Sequence, residues 1–193
     1  MNLEGKVAFI TGGASGIGLA LAKASVAQGA VTLIADIDEA ALATAAEGLR
    51  AAGGTVGTYR LDVSDRHQYQ SVVDAVVAEF GAPYLLFNNA GVAWKAPAAQ
   101  ATPTDWEWMT KVNILGLGYG LSLFVPRMID AEAGGYVVNT GSISGLITTV
   151  GVTAVYGMTK HAVVAISEAL AHELRGYGIH VAVICPGQVA TNI

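Results

Sequence analysis

Tyr156 and Lys160 stand four positions apart in VYGMTKHAVV, residues 155–164. On a helix, that spacing puts a phenol and an ammonium on one face. The chemistry such a pair suits is proton exchange with an alcohol oxygen. A free phenol titrates near 10, too high to take a proton at neutral pH, and a neighbouring cation favours the phenolate. Bringing the phenol to about 7 or 8 takes roughly 3 to 4 kcal/mol of differential stabilisation, toward which the lysine and a second nearby cation, such as one on a bound ligand, can both contribute in a dry site. Y-x-x-x-K is short enough to arise by chance, so its company decides its meaning. Two serines in NTGSISG, Ser142 and Ser144, follow an apolar run and could each hydrogen-bond a substrate oxygen.

A second constellation lies near the start. TGGASGIG follows the apolar run VAFIT and leads into an Ala/Leu-rich stretch, with Gly12, Ser15, Gly16, Ile17 and Gly18 in the loop. The first glycine permits a tight turn and the second lets backbone approach a pyrophosphate. The helix N-terminus beyond offers unpaired N–H groups and the positive end of its dipole. Eighteen residues past Gly18, Asp36 closes the next apolar run. An acid there can accept hydrogen bonds from an adenosine ribose and would repel a 2′-phosphate, which favours NAD over NADP. Neither the glycine loop nor Ile37 brings a basic residue to welcome that phosphate. The plainer alternatives are a helix-opening turn with no ligand for the loop, and a local turn or cap before DEAAL for Asp36.

These residues need elements to hold them. Short β-branched runs at 7–11, 31–36, 55–62, 84–89, 136–141 and 179–185 alternate with helical patterns near 16–28, 39–52, 65–80, 103–130 and 155–176. The near-continuous apolarity of the runs indicates strands buried on both faces of a parallel sheet. Gly29, Gly53-Gly54 and Gly81 stop the first three helices, while Thr102 and Pro103 open the fourth. The pattern predicts an α/β fold, a doubly wound parallel sheet of Rossmann type spanning residues 1–193 as a single domain. Ligands are then expected in the crevice beyond the carboxyl ends of the strands.

Composition narrows the partners. Apolar residues make up 53% of the chain and charged residues 13%, which excludes a disordered chain. A net charge of −5 leaves nucleic acid without its electrostatic attraction. No run of about 18 uninterrupted apolar residues predicts a membrane span. His67, His161, His172 and His180 form no ligand cluster with cysteines or carboxylates, so no metal is expected. The single Cys185 fits a reducing cytoplasm, and the N-terminus lacks the pattern of a signal peptide.

TGGASGIG, the acidic end of the second strand, LDVSD, NNAG, the helix Asn of KVNILG, NTGSISG, YGMTK and PGQVAT occur in that order. Together they resemble the short-chain dehydrogenase/reductase family from about residue 3 to 191. The resemblance implies that Asp62 and Val63 flank the adenine, and that Asn89, Ala90 and Gly91 line the cofactor. Pro186, Gly187, Val189 and Thr191 would hold its nicotinamide end. It favours Ser142 over Ser144 as the substrate-oxygen donor, with Tyr156 as acid–base and Lys160 also on the nicotinamide ribose. Asn113 would organise a water relay toward Lys160. The activity implied is NAD-dependent interconversion of a secondary alcohol and a ketone.

Members of the family normally continue past the position of Ile193 into a lid and another strand. The chain is therefore expected to be C-terminally incomplete, and a catalytically silent NAD(H)-binding module is the alternative. Val92, Ala93, Trp94, Leu146 and Ile147 suggest a small apolar alcohol or ketone as substrate. The long helices resemble those that pair in the family's dimers, so a homodimer or homotetramer is expected.

Overall fold

The structure, a computed structural model, describes residues 3–94, 97–148 and 154–189. Six strands, β1 Val7–Thr11, β2 Val31–Asp36, β3 Val56–Arg60, β4 Leu85–Asn88, β5 Gly135–Thr140 and β6 Ile179–Ile184, form one sheet in the order β3-β2-β1-β4-β5-β6. Every pairing is parallel. The strand order reverses between β1 and β4, and at that switch a crevice opens beyond the strand ends.

The apolar runs are continuous because both faces of the central strands are covered, and the two-residue period of a strand sorts them. Ala8, Ile10, Ile34, Leu85 and Phe87 face α1 Gly16–Ala27 and α2 Glu39–Ala51, meeting Ala22, Leu42 and Leu49. Phe9, Leu33, Leu86 and Val137 face the opposite layer, made by α3 Arg66–Phe80, α5 Gly116–Asp130 and α6 Ala154–Glu173. There they pack with Tyr69, Val73, Phe124, Met128 and Leu170.

Three elements differ from the sequence expectation. The third strand stops at Arg60: Leu61 N–H makes the last ladder bond, to the Asp36 carbonyl at 2.8 Å, and the Asp62 carboxylate then accepts from Ser64 N–H in a local turn. The last long helix ends at Glu173, followed by a tight turn at Arg175–Tyr177 and left-handed Gly178. The single helix expected over 103–130 is α4 Pro103–Thr110 and α5 joined through a π turn at Lys111–Leu115. Its start is a capping box, with Thr102 Oγ1 accepting from Asp105 N–H and the Asp105 carboxylate accepting from Thr102 N–H. By length and mean hydropathy alone this run, Pro103–Asp130, would suffice to cross a membrane, which the count of uninterrupted apolar residues did not detect. In the fold it carries Phe124, Val125 and Met128 into the core beneath the sheet.

Candidate functional site

The glycine loop is built by close approach. Gly12 and Gly16 take φ of +64° and +51°, which a side chain would oppose. A Cβ on Gly18 would overlap the Gly12 carbonyl, so only glycine lets α1 start this near the end of β1. Ser15 is the N-cap of α1, yet its hydroxyl makes no cap bond, and no acidic residue occupies the first turn. Free N–H groups, an uncommitted hydroxyl and an uncompensated dipole suit a phosphate.

Asp36 closes β2 beside this loop. Its Oδ2 accepts from Ala14 N–H and its Oδ1 from Asp38 N–H, both at 3.2 Å. The local turn and the place at the crevice wall therefore coexist in one side chain. Ile37 beside it is 57% exposed. Arg60, in register with Asp36 on the neighbouring strand, is a nearby cation that the sequence reading passed over. It is committed to Glu39, with Nε 2.9 Å from Oε1.

Asn89 ties three strand ends together. Its Nδ2 donates to the carbonyls of Thr11 and Gly12, and its Oδ1 accepts from Thr140 Oγ1 at 3.1 Å. Asn89 and Ala90 N–H both donate to Thr11 Oγ1 at 3.0 Å. This makes Asn89 a structural knot as well as a wall of the crevice. Gly91 leaves room where a Cβ would press on Asn113 Oδ1 and Lys160 Nζ, 3.3 and 3.4 Å away.

On the opposite wall α6 brings Tyr156 beside Ser142, near enough for the serine hydroxyl to favour the phenolate. Ser142 Oγ accepts from Ser144 N–H, which holds the serine at the mouth of the turn Ile143–Gly145. Of the two candidate serines, Ser142 is the one beside the phenol. Burial pushes the Tyr156 phenol above its usual value, and the Ser142 hydroxyl draws it back in part. The expected lowering by Lys160 does not prevail here. The ammonium lies 5.7 Å from the ring centroid and donates to the Thr140 carbonyl at 2.8 Å, turned toward backbone rather than phenol. Burial also pulls Lys160 itself down to about 8.

Asn113 sits in the π turn and is 3% exposed. Its Oδ1 accepts from Val92 N–H at 2.8 Å while Nδ2 donates to the Val92 carbonyl and Thr159 Oγ1. The helix widens where this side chain clasps the loop after β4, a geometry that recurs at functional sites. Asn113 does not line the main crevice. It lines a cavity of about 10 Å³ behind it, shared with Thr11, Asn88, Thr140 and Lys160, about the size for one water.

The crevice has a volume of about 1060 Å³. Along it stand Gly12, Ser15, Gly16, Ile17, Asp36, Asp62, Val63, the 89–91 turn, Ser142, Tyr156, Lys160, Pro186, Gly187 and Val189. Gly18 acts from behind, through packing, and Thr191 lies outside the described residues. Sequence reasoning missed Thr140, whose carbonyl anchors Lys160, and Thr159, fully buried between Asn113 and the Tyr156 carbonyl. It also missed Trp108, which lines the crevice from α4. A threonine inside Y-x-x-x-K was the available signal for Thr159, whereas nothing in the sequence marks a carbonyl.

The sequence profile described as short chain dehydrogenase matches residues 6–193. A 3beta-hydroxysteroid dehydrogenase 2 of Eggerthella lenta is 37% identical over 192 residues, covering 99% of this chain and 74% of that protein. The crystal structure of a short chain dehydrogenase/reductase from Burkholderia phymatum in complex with NAD superposes with a TM-score of 0.96 at 39% identity, covering 100% of this chain and 69% of that one. A metagenomic short-chain oxidoreductase in complex with NADP gives 0.91 at 30% identity, covering 98% and 85%. The chain spans 63% of the length of another curated relative. With a family profile over nearly the whole chain, relatives above 30% identity and a solved structure superposing over the full length, the chain belongs to the short-chain dehydrogenase/reductase family of oxidoreductases.

Proposed function

We propose that this chain is an NAD-dependent catalytic domain that interconverts a secondary alcohol and a ketone. The observation that carries the reading is the Ser142–Tyr156 hydroxyl pair with Lys160 one turn along the helix, in the same crevice as the glycine loop. The dinucleotide, when bound, supplies the hydride acceptor or donor. Gly12, Ser15, Gly16 and Ile17 suit its pyrophosphate, with Gly18 holding α1 close behind them. Asp36 suits the adenosine ribose, and Asp62 and Val63 the adenine edge. Asn89, Ala90, Gly91, Pro186, Gly187 and Val189, which line the crevice, suit the nicotinamide end.

Ser142 holds the substrate oxygen by a hydrogen bond, and Tyr156 removes the hydroxyl proton in oxidation or returns it in reduction. Lys160 holds ribose hydroxyls with the N–H groups not given to Thr140, and its charge opposes the burial that keeps the phenol protonated. The positive charge of the oxidised cofactor pushes the same way. Asn113 keeps the loop after β4 in place and borders the water-sized cavity that would connect Lys160 to a proton source. NAD is favoured because Asp36 would repel a 2′-phosphate.

Val92, Ala93, Trp108, Val112 and Ile143 give the substrate end an apolar lining, which suits an uncharged apolar alcohol or ketone. Exposed Trp106, Leu115, Met158 and Ile166 on the outer faces of the long helices support a homo-oligomer. The test is NADH formation from NAD and a panel of apolar secondary alcohols. Tyr156→Phe is expected to remove turnover while dinucleotide binding stays within about threefold, because it deletes one hydroxyl and keeps the ring. Loss of binding together with activity would overturn the role given to Tyr156. Binding without turnover in both proteins would favour a silent nucleotide-binding module.

A further inference from the structure

Val137 of β5 and Leu170 of α6 share the apolar core, and an apolar contact by itself does not fix how far a helix sits along a strand. Three polar contacts do. Ser167, Lys160 and Tyr156, descending α6, meet Asn139 and Thr140 at the end of β5 and Ser142 just beyond it, because helix and strand run in opposite directions. The first of these lies farthest from the reacting oxygen and has no part in the chemistry proposed above. Asn139 is fully buried and Ser167 is 3% exposed.

The bonds around Asn139 leave no freedom of direction. Asn88 Nδ2 donates to Asn139 Oδ1 at 2.9 Å, from the position in register with it on β4. Asn139 Nδ2 donates to Ser167 Oγ at 2.9 Å, and Ser167 Oγ donates onward to the Val163 carbonyl at 2.6 Å. Both ends of the Asn139 amide are therefore used, and the chain of donors starts in the sheet and ends on the backbone of α6. Asn88 Oδ1 is buried without a partner, but the Asn139 amide and the Ser167 hydroxyl, buried among Val137, Val163 and Leu170, are costly unless they meet each other, so one axial position of the helix is selected over its neighbours.

We propose that the Asn139–Ser167 hydrogen bond is a positioning device for the reaction, setting the axial register of α6 so that the Tyr156 hydroxyl meets Ser142. Residues on a helix advance by about 1.5 Å, and a misplacement of about 1 Å at reacting groups costs on the order of a hundredfold in rate. A bond two turns from Lys160 can thus control the distance on which proton transfer depends. The inference rests on the acid–base role given to Tyr156, and its test is chosen to read position without turnover.

Ser167→Ala removes one oxygen, leaves Asn139 in place and puts a strong helix former in α6. In protein labelled with carbon-13 at tyrosine Cζ, the Tyr156 resonance is assigned by its loss in Tyr156→Phe. We expect Ser167→Ala to move that resonance while the other tyrosine signals stay put, and to lower kcat about tenfold with dinucleotide affinity within about threefold. Ser167→Thr, which restores a hydroxyl, is expected to bring both back toward the parent. A lower melting temperature with an unmoved Tyr156 signal would overturn the proposal, because the bond would then be structural only. A moved signal in a protein with no turnover on any alcohol would uphold the register and count instead against the proposed activity.

Discussion

Lys160 sits at 3% exposure with one carbonyl partner, and this has a cost that pH reveals. Its folded value of about 8 lies below the ordinary 10.5, so between those values the unfolded chain binds the extra proton. Stability from this group is therefore complete above about 10.5 and is lost as pH falls toward 8. Converting the shift gives about 3 kcal/mol at neutral pH, lessened by the Thr140 carbonyl that any replacement leaves unpaired. Lys160→Met is expected to be more stable than the parent at pH 7 by about 1 to 3 kcal/mol and inactive, with the gap narrowing by pH 10. Denaturant titrations across that range check it; a parent more stable at pH 7 would contradict the burial penalty. The pair of residues was legible in the sequence, but the direction of the tyrosine's displacement was not. Spacing tells that phenol and ammonium share a helix face, whereas burial, which outweighs the Ser142 contact, depends on what else packs around them.

At the scale of elements, two glycines in helices have opposite meanings. Gly18, in the first turn of α1, has no room for a methyl against the Gly12 carbonyl and the Asn89 amide. Gly18→Ala is expected to cost about 1 to 3 kcal/mol and to weaken dinucleotide binding, since α1 must retreat from the loop. Gly48, in α2, has nothing within 4 Å of its would-be Cβ, and Gly48→Ala is expected to stabilise by about 0.5 to 1 kcal/mol with binding unchanged. Thermal melts and dinucleotide fluorescence titrations separate the two. The strands and most helix starts could be read from the chain because each carries local chemistry: β-branched runs, Asp38 and Asp65 accepting from the first N–H groups, the Thr102 box. The π turn could not. It exists because Asn113 clasps Val92, a partner 21 residues away that helix propensity does not see.

For the whole molecule, a ligand that binds only the folded chain stabilises it by mass action. At about a hundred times its dissociation constant the gain is about 2.7 kcal/mol, which for a chain of this size raises the melting temperature by roughly 5 to 10 °C. NADH is expected to do this at lower concentration than NADPH; equal effects would remove the case for Asp36 as the selector. The doubly wound sheet was predictable from alternation alone, whereas the knot at Asn89 and the register of α6 emerged only once distant strands were adjacent. The central place of β1 in the sheet bears also on how the chain is made. Its β2 partner ends at Asp36, but the strand that covers its other edge begins at Leu85. At about 5 to 20 residues per second of synthesis, Ala8 to Ile10 wait roughly 2 to 10 seconds on the ribosome with that edge unpaired. During that interval the strand destined for the middle of the sheet presents an open, apolar edge of the kind a chaperone has reason to shield.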